Sequence, residues 1–118
     1  LYQRKLGKQG EYLVEEYLKR KGYQILERNF LKRSGEIDLI VEDNKRRETV
    51  FVEVKTRRTA SFGRPEDAVN ASKIFKMEKT AQRWLLENNR LNKPWRLDII
   101  ALELIDQPRI THFENVTL

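Results

Sequence analysis

Two short runs, Gly35-Glu36-Ile37-Asp38-Leu39-Ile40 and Phe51-Val52-Glu53-Val54-Lys55-Thr56, constrain this chain more than any other part of it. Their β-branched and aromatic content predicts buried strands, yet each carries charged residues among the apolar ones. A charge inside a buried strand is costly unless it is paired or used. Side chains two apart on a strand share a face, so Glu53 and Lys55 project together, about 6.6 Å apart at ~3.3 Å per residue. Asp38 precedes Glu53 by 15 residues, room for two adjacent strands and a turn, which allows both acids to lie opposite each other on one sheet face. Two carboxylates and a lysine would then converge.

Carboxylates held that close repel when ionised, and a hard divalent cation relieves the repulsion by taking oxygen ligands from both. Mg²⁺, or Mn²⁺ in its place, fits such a donor set and leaves room for waters and phosphate oxygens. A neighbouring ammonium could orient an attacking water or stabilise developing charge. The chemistry expected of this pattern is metal-assisted phosphodiester hydrolysis. The competing reading is a buried Glu53–Lys55 pair with Asp38 capping a turn. A nucleophilic triad does not compete, because the only histidine, His112, stands near the end of the last strand and is expected to be structural.

Periodicity supplies the scaffold. Leu6, Leu13, Val14, Tyr17 and Leu18 recur at helical spacing from about Arg4 to Lys21, with Gly22 as the stop. Gly7 and Gly10 fall in the same stripe, which predicts close approach to another element, and Glu11 falls at its edge beside Leu18. Strand-like runs follow at residues 23–30, 36–41 and 49–56, separated by turns at Ser34-Gly35 and Asp43–Arg47, so an antiparallel meander is expected. Residues 59–65 read as a loop. Ile74, Met77, Ala81, Trp84 and Leu85 mark a second helix from near Ser72 to Asn88. Its other face carries Lys73, Lys76, Lys79, Arg83 and, at its end, Arg90. Residues 97–104 are nearly continuously apolar, as in a strand covered on both faces, and a short strand at 109–113 ends the order α-β-β-β-α-β-β.

Of the 24 Lys+Arg and 18 Asp+Glu, residues 1–59 hold 15 and 10, and residues 60–118 hold 9 and 8. The net charge of +6 is therefore concentrated in the first half, a footprint shared by phosphate-backbone binding and plain solubility. Absence of cysteine excludes thiolate nucleophiles, zinc knuckles and disulfides, and agrees with a cytoplasmic address. No apolar run approaches the ~20 residues of a membrane-spanning helix, so no membrane partner is expected. Leu1–Lys5 lacks the apolar region of a signal peptide, and with Met77 as the only methionine the chain is expected to have lost residues ahead of Leu1. One domain, residues 1–118, is expected.

An acid before a hairpin, then Glu-x-Lys on the next strand, in this element order, resembles the PD-(D/E)xK nuclease superfamily with its restriction-endonuclease-like fold. More closely, the chain resembles the YraN family of uncharacterised bacterial proteins, similar to archaeal Holliday-junction resolvases. The resemblance runs through Gly7-x-x-Gly10-Glu11, Arg28-Asn29, Gly35–Ile40, Phe51–Arg57, Phe62-Gly63-x-Pro65, Lys73 and Arg96–Ile100. It implies an α/β fold with a central mixed sheet flanked by helices, and a DNA endonuclease using Mg²⁺ or Mn²⁺, with branched or junction DNA as one substrate class. Asp38 and Glu53 become metal ligands with the carbonyl of Val54 as a third, Lys55 the catalytic lysine, and Glu11 the helix-borne acid completing the site. Ile37 stands where the superfamily's nominal Pro would be. Arg57 and Arg58, which leave the sheet at this site, and Lys73, Lys76, Lys79 and Arg83 are the expected nucleic-acid contacts. The alternative is a nucleic-acid-binding module of the same fold that does not cut alone. A homodimer, which paired cuts at a junction would need, is left open, as is the role of Asp98; Glu36 shares a strand face with Asp38 by alternation and is either a metal neighbour or a solvated strand end.

Overall fold

The computed structural model describes residues 2–58 and 64–117, with the side chains of residues 2–6 and of Ala68 left aside. The first helix, α1 (Tyr2–Arg20), is interrupted at Gly7, whose φ of 68° and ψ of 174° are not helical. A Cβ placed on Gly7 would meet nothing within 4 Å. Its glycine therefore permits a kink rather than the close approach expected from the stripe, while Gly10 is buried as expected. Val14 and Leu18 are buried, and the helix ends with Gly22 at φ 90° donating its N–H to Lys19 O.

Strands β1 (Tyr23–Lys32), β2 (Gly35–Asp43), β3 (Glu48–Arg57), β4 (Trp95–Leu104) and β5 (Pro108–Phe113) form one sheet in the order β1-β2-β3-β4-β5. The first three form the expected antiparallel meander, with Arg33-Ser34 rather than Ser34-Gly35 as the first turn. β4 then runs parallel to β3, and β5 antiparallel to β4, which makes the sheet mixed. Between β3 and β4 lie a 3-10 turn, Pro65–Ala68, and the second helix, α2 (Ala71–Glu87). Asn70 caps α2 by accepting the N–H of Lys73 at 3.1 Å.

The sheet is covered on both faces, and its alternation sorts the core into two clusters. Val14 and Leu18 of α1 pack with Leu39, Val41, Val50, Val52, Val54, Ile100 and Leu102. On the other face Ile74, Met77, Ala81, Trp84 and Leu85 of α2 pack with Ile40, Phe51 and Leu97. β4 feeds both, which accounts for its nearly unbroken apolar run. No described helix is long and apolar enough to cross a membrane.

Arg96, only 2% exposed, organises the α1 side of the sheet at the start of β3 and β4. Its guanidinium donates to both oxygens of Asp98, to Asp43 Oδ2 at 3.1 Å, to Glu48, and to Tyr23 Oη at 2.7 Å. Asp98 also accepts from the N–H of Asn115, and lies 2.7 Å from His112 Nε2. Burial pushes the Asp98 carboxyl up, but the bonds from His112, Asn115 and Arg96 outweigh it and hold it below the usual carboxylate range. An ionised Asp98 only accepts, so Nε2 carries a proton. In the neutral ring Nδ1 then accepts from Tyr17 Oη at 2.7 Å, which in turn accepts from Lys21 at 3.3 Å. Asp98 and His112 thus join α1, β4, β5 and the final segment in one hydrogen-bonded chain.

Asp98→Asn should destabilise the protein by roughly 3–5 kcal/mol in urea unfolding at pH 7, because it leaves Arg96 buried without its principal partner. Since the folded-state pKa of Asp98 is depressed, its contribution is complete above the unfolded value of about 3.9 and is lost as pH falls through the folded value. Asp43, also depressed, adds to the same acid limb: burial raises it, but bonds from Arg46 N–H, Arg96 and Lys45 N–H outweigh that. Wild-type stability should therefore fall below about pH 4, and Asp98→Asn should flatten that fall. An acid limb of equal steepness in the variant would show that Asp98 is not what titrates.

Candidate active site

The site begins with a break in strand pairing. The β1–β2 register passes from Arg28↔Leu39 to Phe30↔Ile37 without pairing Asn29 and Asp38, and Asn29 adopts a left-handed φ of 54°. Arg28 and Leu39 face α1, where Arg28 grips Glu15 with two bonds of 2.7 and 2.8 Å. Phe30 and Ile37, two positions on, pack with the α2 cluster. A regular strand pair returns to the same face after two residues, so both chains switch face at Asn29 and Asp38. Alternation from Ile37 then turns Glu36 towards α1, away from Asp38, although uninterrupted alternation placed the two together. One oxygen of Glu36 is buried without a hydrogen-bond partner.

The break frees the Asp38 carboxylate for a different task. β2 and β3 are paired only from Asp43↔Glu48 to Leu39↔Val52, whereas β3 continues along β4 to Arg57↔Glu103. One step past the last pair, Asp38 Oδ2 accepts the backbone N–H of Val54 at 2.7 Å, a side chain standing where a strand would have supplied a carbonyl. In a strand the N–H and C=O of one residue point to the same edge, so the Val54 carbonyl faces the notch where β2 and β3 part.

Glu53, 3% exposed, points to the α2 side, and Lys55 shares that face but is exposed. Lys73, in the first turn of α2, places Nζ 2.6 Å from Glu53 Oε2. Burial alone would lower the Lys73 pKa, but its bond with Glu53 and the charges of Glu53 and Asp38 outweigh it and raise it. Lys73 thus lies within the field of both Glu53 and Asp38.

The other expected residues take varied places. Glu11 is half-buried in a cleft on the α1 side with Lys8, Tyr12, Glu15, Glu16, Lys19 and Arg28. Among the described residues no group of three or more acids or histidines is placed to hold a metal. Arg57 pairs with Glu103 at 3.5 Å, its guanidinium only 17% exposed, while Arg58 is exposed. Lys76, Lys79 and Arg83 line the outer face of α2, and Arg90 instead bonds Glu42 and Thr49. The rings of Trp95 and Phe51 stand nearly perpendicular, with centroids 6.0 Å apart.

What sequence reasoning missed is the partner of Glu53, since Lys73 had been grouped with the basic stripe. The signal lay in the helix geometry: at 100° per residue, Lys73 stands about 40° from Met77 and about 20° from Trp84, at the margin of the apolar face.

Comparison with known proteins gives a family and no activity. A family model described as the uncharacterised protein family UPF0102 matches residues 10–102. A UPF0102 protein of Geobacter sulfurreducens is 45% identical over 112 residues, 93% of this chain and 86% of that protein. One from Alkaliphilus oremlandii is 44% identical over 115 residues, covering 95% and 97% of the two chains. Among solved structures, SfsA of Pyrococcus furiosus in complex with Ca²⁺ superposes with a TM-score of 0.38 at 14% identity, over 88% of this chain and 59% of that one.

A double-mutant cycle on Glu53→Gln and Lys73→Gln, read by urea unfolding without divalent metal, should show a coupling of about 1–3 kcal/mol. Strict additivity of the two variants would mean that the ion pair does not form in solution.

Proposed function

The chain belongs to the uncharacterised protein family UPF0102, and from its geometry we propose that it is a Mg²⁺- or Mn²⁺-dependent endonuclease of PD-(D/E)xK type that hydrolyses phosphodiester bonds in DNA, branched or junction DNA included. The observation that carries the reading is the notch itself. Asp38 and Glu53, both nearly buried, stand near where β2 leaves β3, Asp38 bound to the Val54 N–H and Glu53 to Lys73, with Lys55 on the face of Glu53. Hard oxygen donors of this kind suit Mg²⁺ or Mn²⁺. Asp38, Glu53 and the Val54 carbonyl would hold the ion. When bound it supplies a more acidic water and neutralises charge on the phosphoryl oxygens.

The protein's own groups do the rest. The Val54 N–H fixes one oxygen of Asp38. Lys55, on the face of Glu53, is the group to orient the attacking water or to stabilise charge on the phosphate. Lys76, Lys79, Arg83 and Arg58 offer an exposed basic approach for the phosphate backbone, which positions a substrate without reading its sequence. Arg57, tied to Glu103, would have to exchange that partner for a phosphate. One second reading is a nucleic-acid-binding module of the same architecture that needs a partner to cut.

Asp38→Ala, Glu53→Ala and Lys55→Ala should each abolish divalent-dependent cleavage of DNA substrates while DNA binding persists; cleavage surviving in all three would refute the endonuclease. Four to six phosphate contacts predict log K against log salt slopes of about −3.6 to −5.4 on duplex DNA. Salt-sensitive binding with no turnover under Mg²⁺ or Mn²⁺ would select the binding module, and a slope near zero would exclude both.

A further inference from the structure

Two buried carboxylate systems in this protein are neutralised by cations of opposite character. Asp98 is held by Arg96, whose side chain is 3% exposed and whose guanidinium also binds Asp43, Glu48 and Tyr23. Removing that arginine would break every one of those contacts at once. Glu53, equally buried, is held by Lys73, whose side chain is 32% exposed and belongs to the first turn of α2. The backbone of Lys73 is anchored by its N–H to Asn70 Oδ1, while four methylenes carry the ammonium. The ammonium can therefore leave for solvent with no change in the helix. A guanidinium locked by several acceptors builds a fold, and an ammonium on a flexible stem at the surface can be exchanged.

We propose that Lys73 is a placeholder cation, holding Glu53 in the metal-free protein and giving up that position when a divalent cation binds Asp38 and Glu53. The proposal rests on the metal-dependent reading above and goes beyond it by naming the group that the ion displaces. A nearly buried Glu53 needs a positive partner whether or not metal is present. The Oε2 that Lys73 occupies belongs to a proposed metal ligand, so ammonium and metal compete for one oxygen. Competition of this kind is reciprocal: removing the ammonium tightens metal binding, and binding metal releases the ammonium. With Lys73 in place the notch holds two carboxylates and two ammoniums and is formally neutral. Loading a divalent ion and releasing the Lys73 ammonium makes it formally +1, so the notch becomes attractive to a polyanion only once it can act on one.

The test is Mn²⁺ titration of the whole chain by calorimetry, without nucleic acid, for wild type, Lys73→Gln and Lys73→Arg. Lys73→Gln should bind Mn²⁺ more tightly, on the order of tenfold, or about 1.4 kcal/mol, while Lys73→Arg, which keeps the competing charge, should not. In the wild type, amine labelling at Lys73, read by peptide mass against exposed Lys93, should rise on adding Mn²⁺. This second measurement decides the matter even if Lys73→Gln does not fold. Unchanged or weaker Mn²⁺ affinity in a folded Lys73→Gln, or labelling that does not rise, overturns the placeholder while wild-type Mn²⁺ binding leaves the metal reading standing. Failure of both wild type and folded Lys73→Gln to bind Mn²⁺ overturns the metal reading and the placeholder with it.

Discussion

A single hydrogen bond, from the Val54 N–H to the Asp38 carboxylate, stands at the point where this sheet stops being a sheet. Below it, β2 and β3 are bound by a regular antiparallel ladder; above it, β3 keeps only β4 as a strand partner. Had the ladder continued, the edge of β3 would be filled with carbonyls and no group could enter between the strands. Asp38 satisfies the first exposed N–H with a side chain instead. Its charge is thereby brought to 0% exposure with a donor already supplied. Glu53, one residue away, inherits the opening and draws Lys73 from the facing helix. The notch, its carboxylates and their counter-charges all depend on that early parting.

Most of the scaffold could be read from the residues, because its signals are local. Helical spacing placed α1 and α2 within a few residues of their ends, and β-branched runs bounded by turns placed the strands. The unbroken apolar stretch of β4 announced a strand buried on both faces. The site was legible in part: Asp38, Glu53 and Lys55 stood out as charges in apolar runs, and Asp38 lies one step beyond the last β2–β3 pair, Leu39↔Val52. What failed was what depends on a neighbour. Uninterrupted alternation put Glu36 beside Asp38, but the left-handed Asn29 on the adjacent strand reverses the face. Gly7, read as a contact glycine, serves a backbone angle. Lys73 was assigned by its charge, whereas a third element, the strand under its helix, decides its partner.

The two charged centres occupy opposite ends of the central strands and opposite faces of the sheet. At the start of β3 and β4, Arg96 gathers Asp43, Glu48 and Asp98 on the α1 side. Towards the other end, Glu53 and Lys55 lie on the α2 side. Between them Val50, Phe51, Val52, Leu97, Ile99 and Ile100 are fully buried and apolar. That apolar centre lets each group of charges be neutralised separately, the first as a fixed network and the second around an opening.

The parting of β2 from β3 also bears on self-association. Unpaired strand edges normally lie on the rim of a sheet, where they can template pairing with another chain. Here the stretch of β3 beyond Val52 that β2 leaves uncovered is internal to the strand order, with β1 and β2 on one side and β4 and β5 on the other. A second copy of the sheet, arriving broadside, meets β1 or β5 first, and the parted stretch of β3 stays behind them.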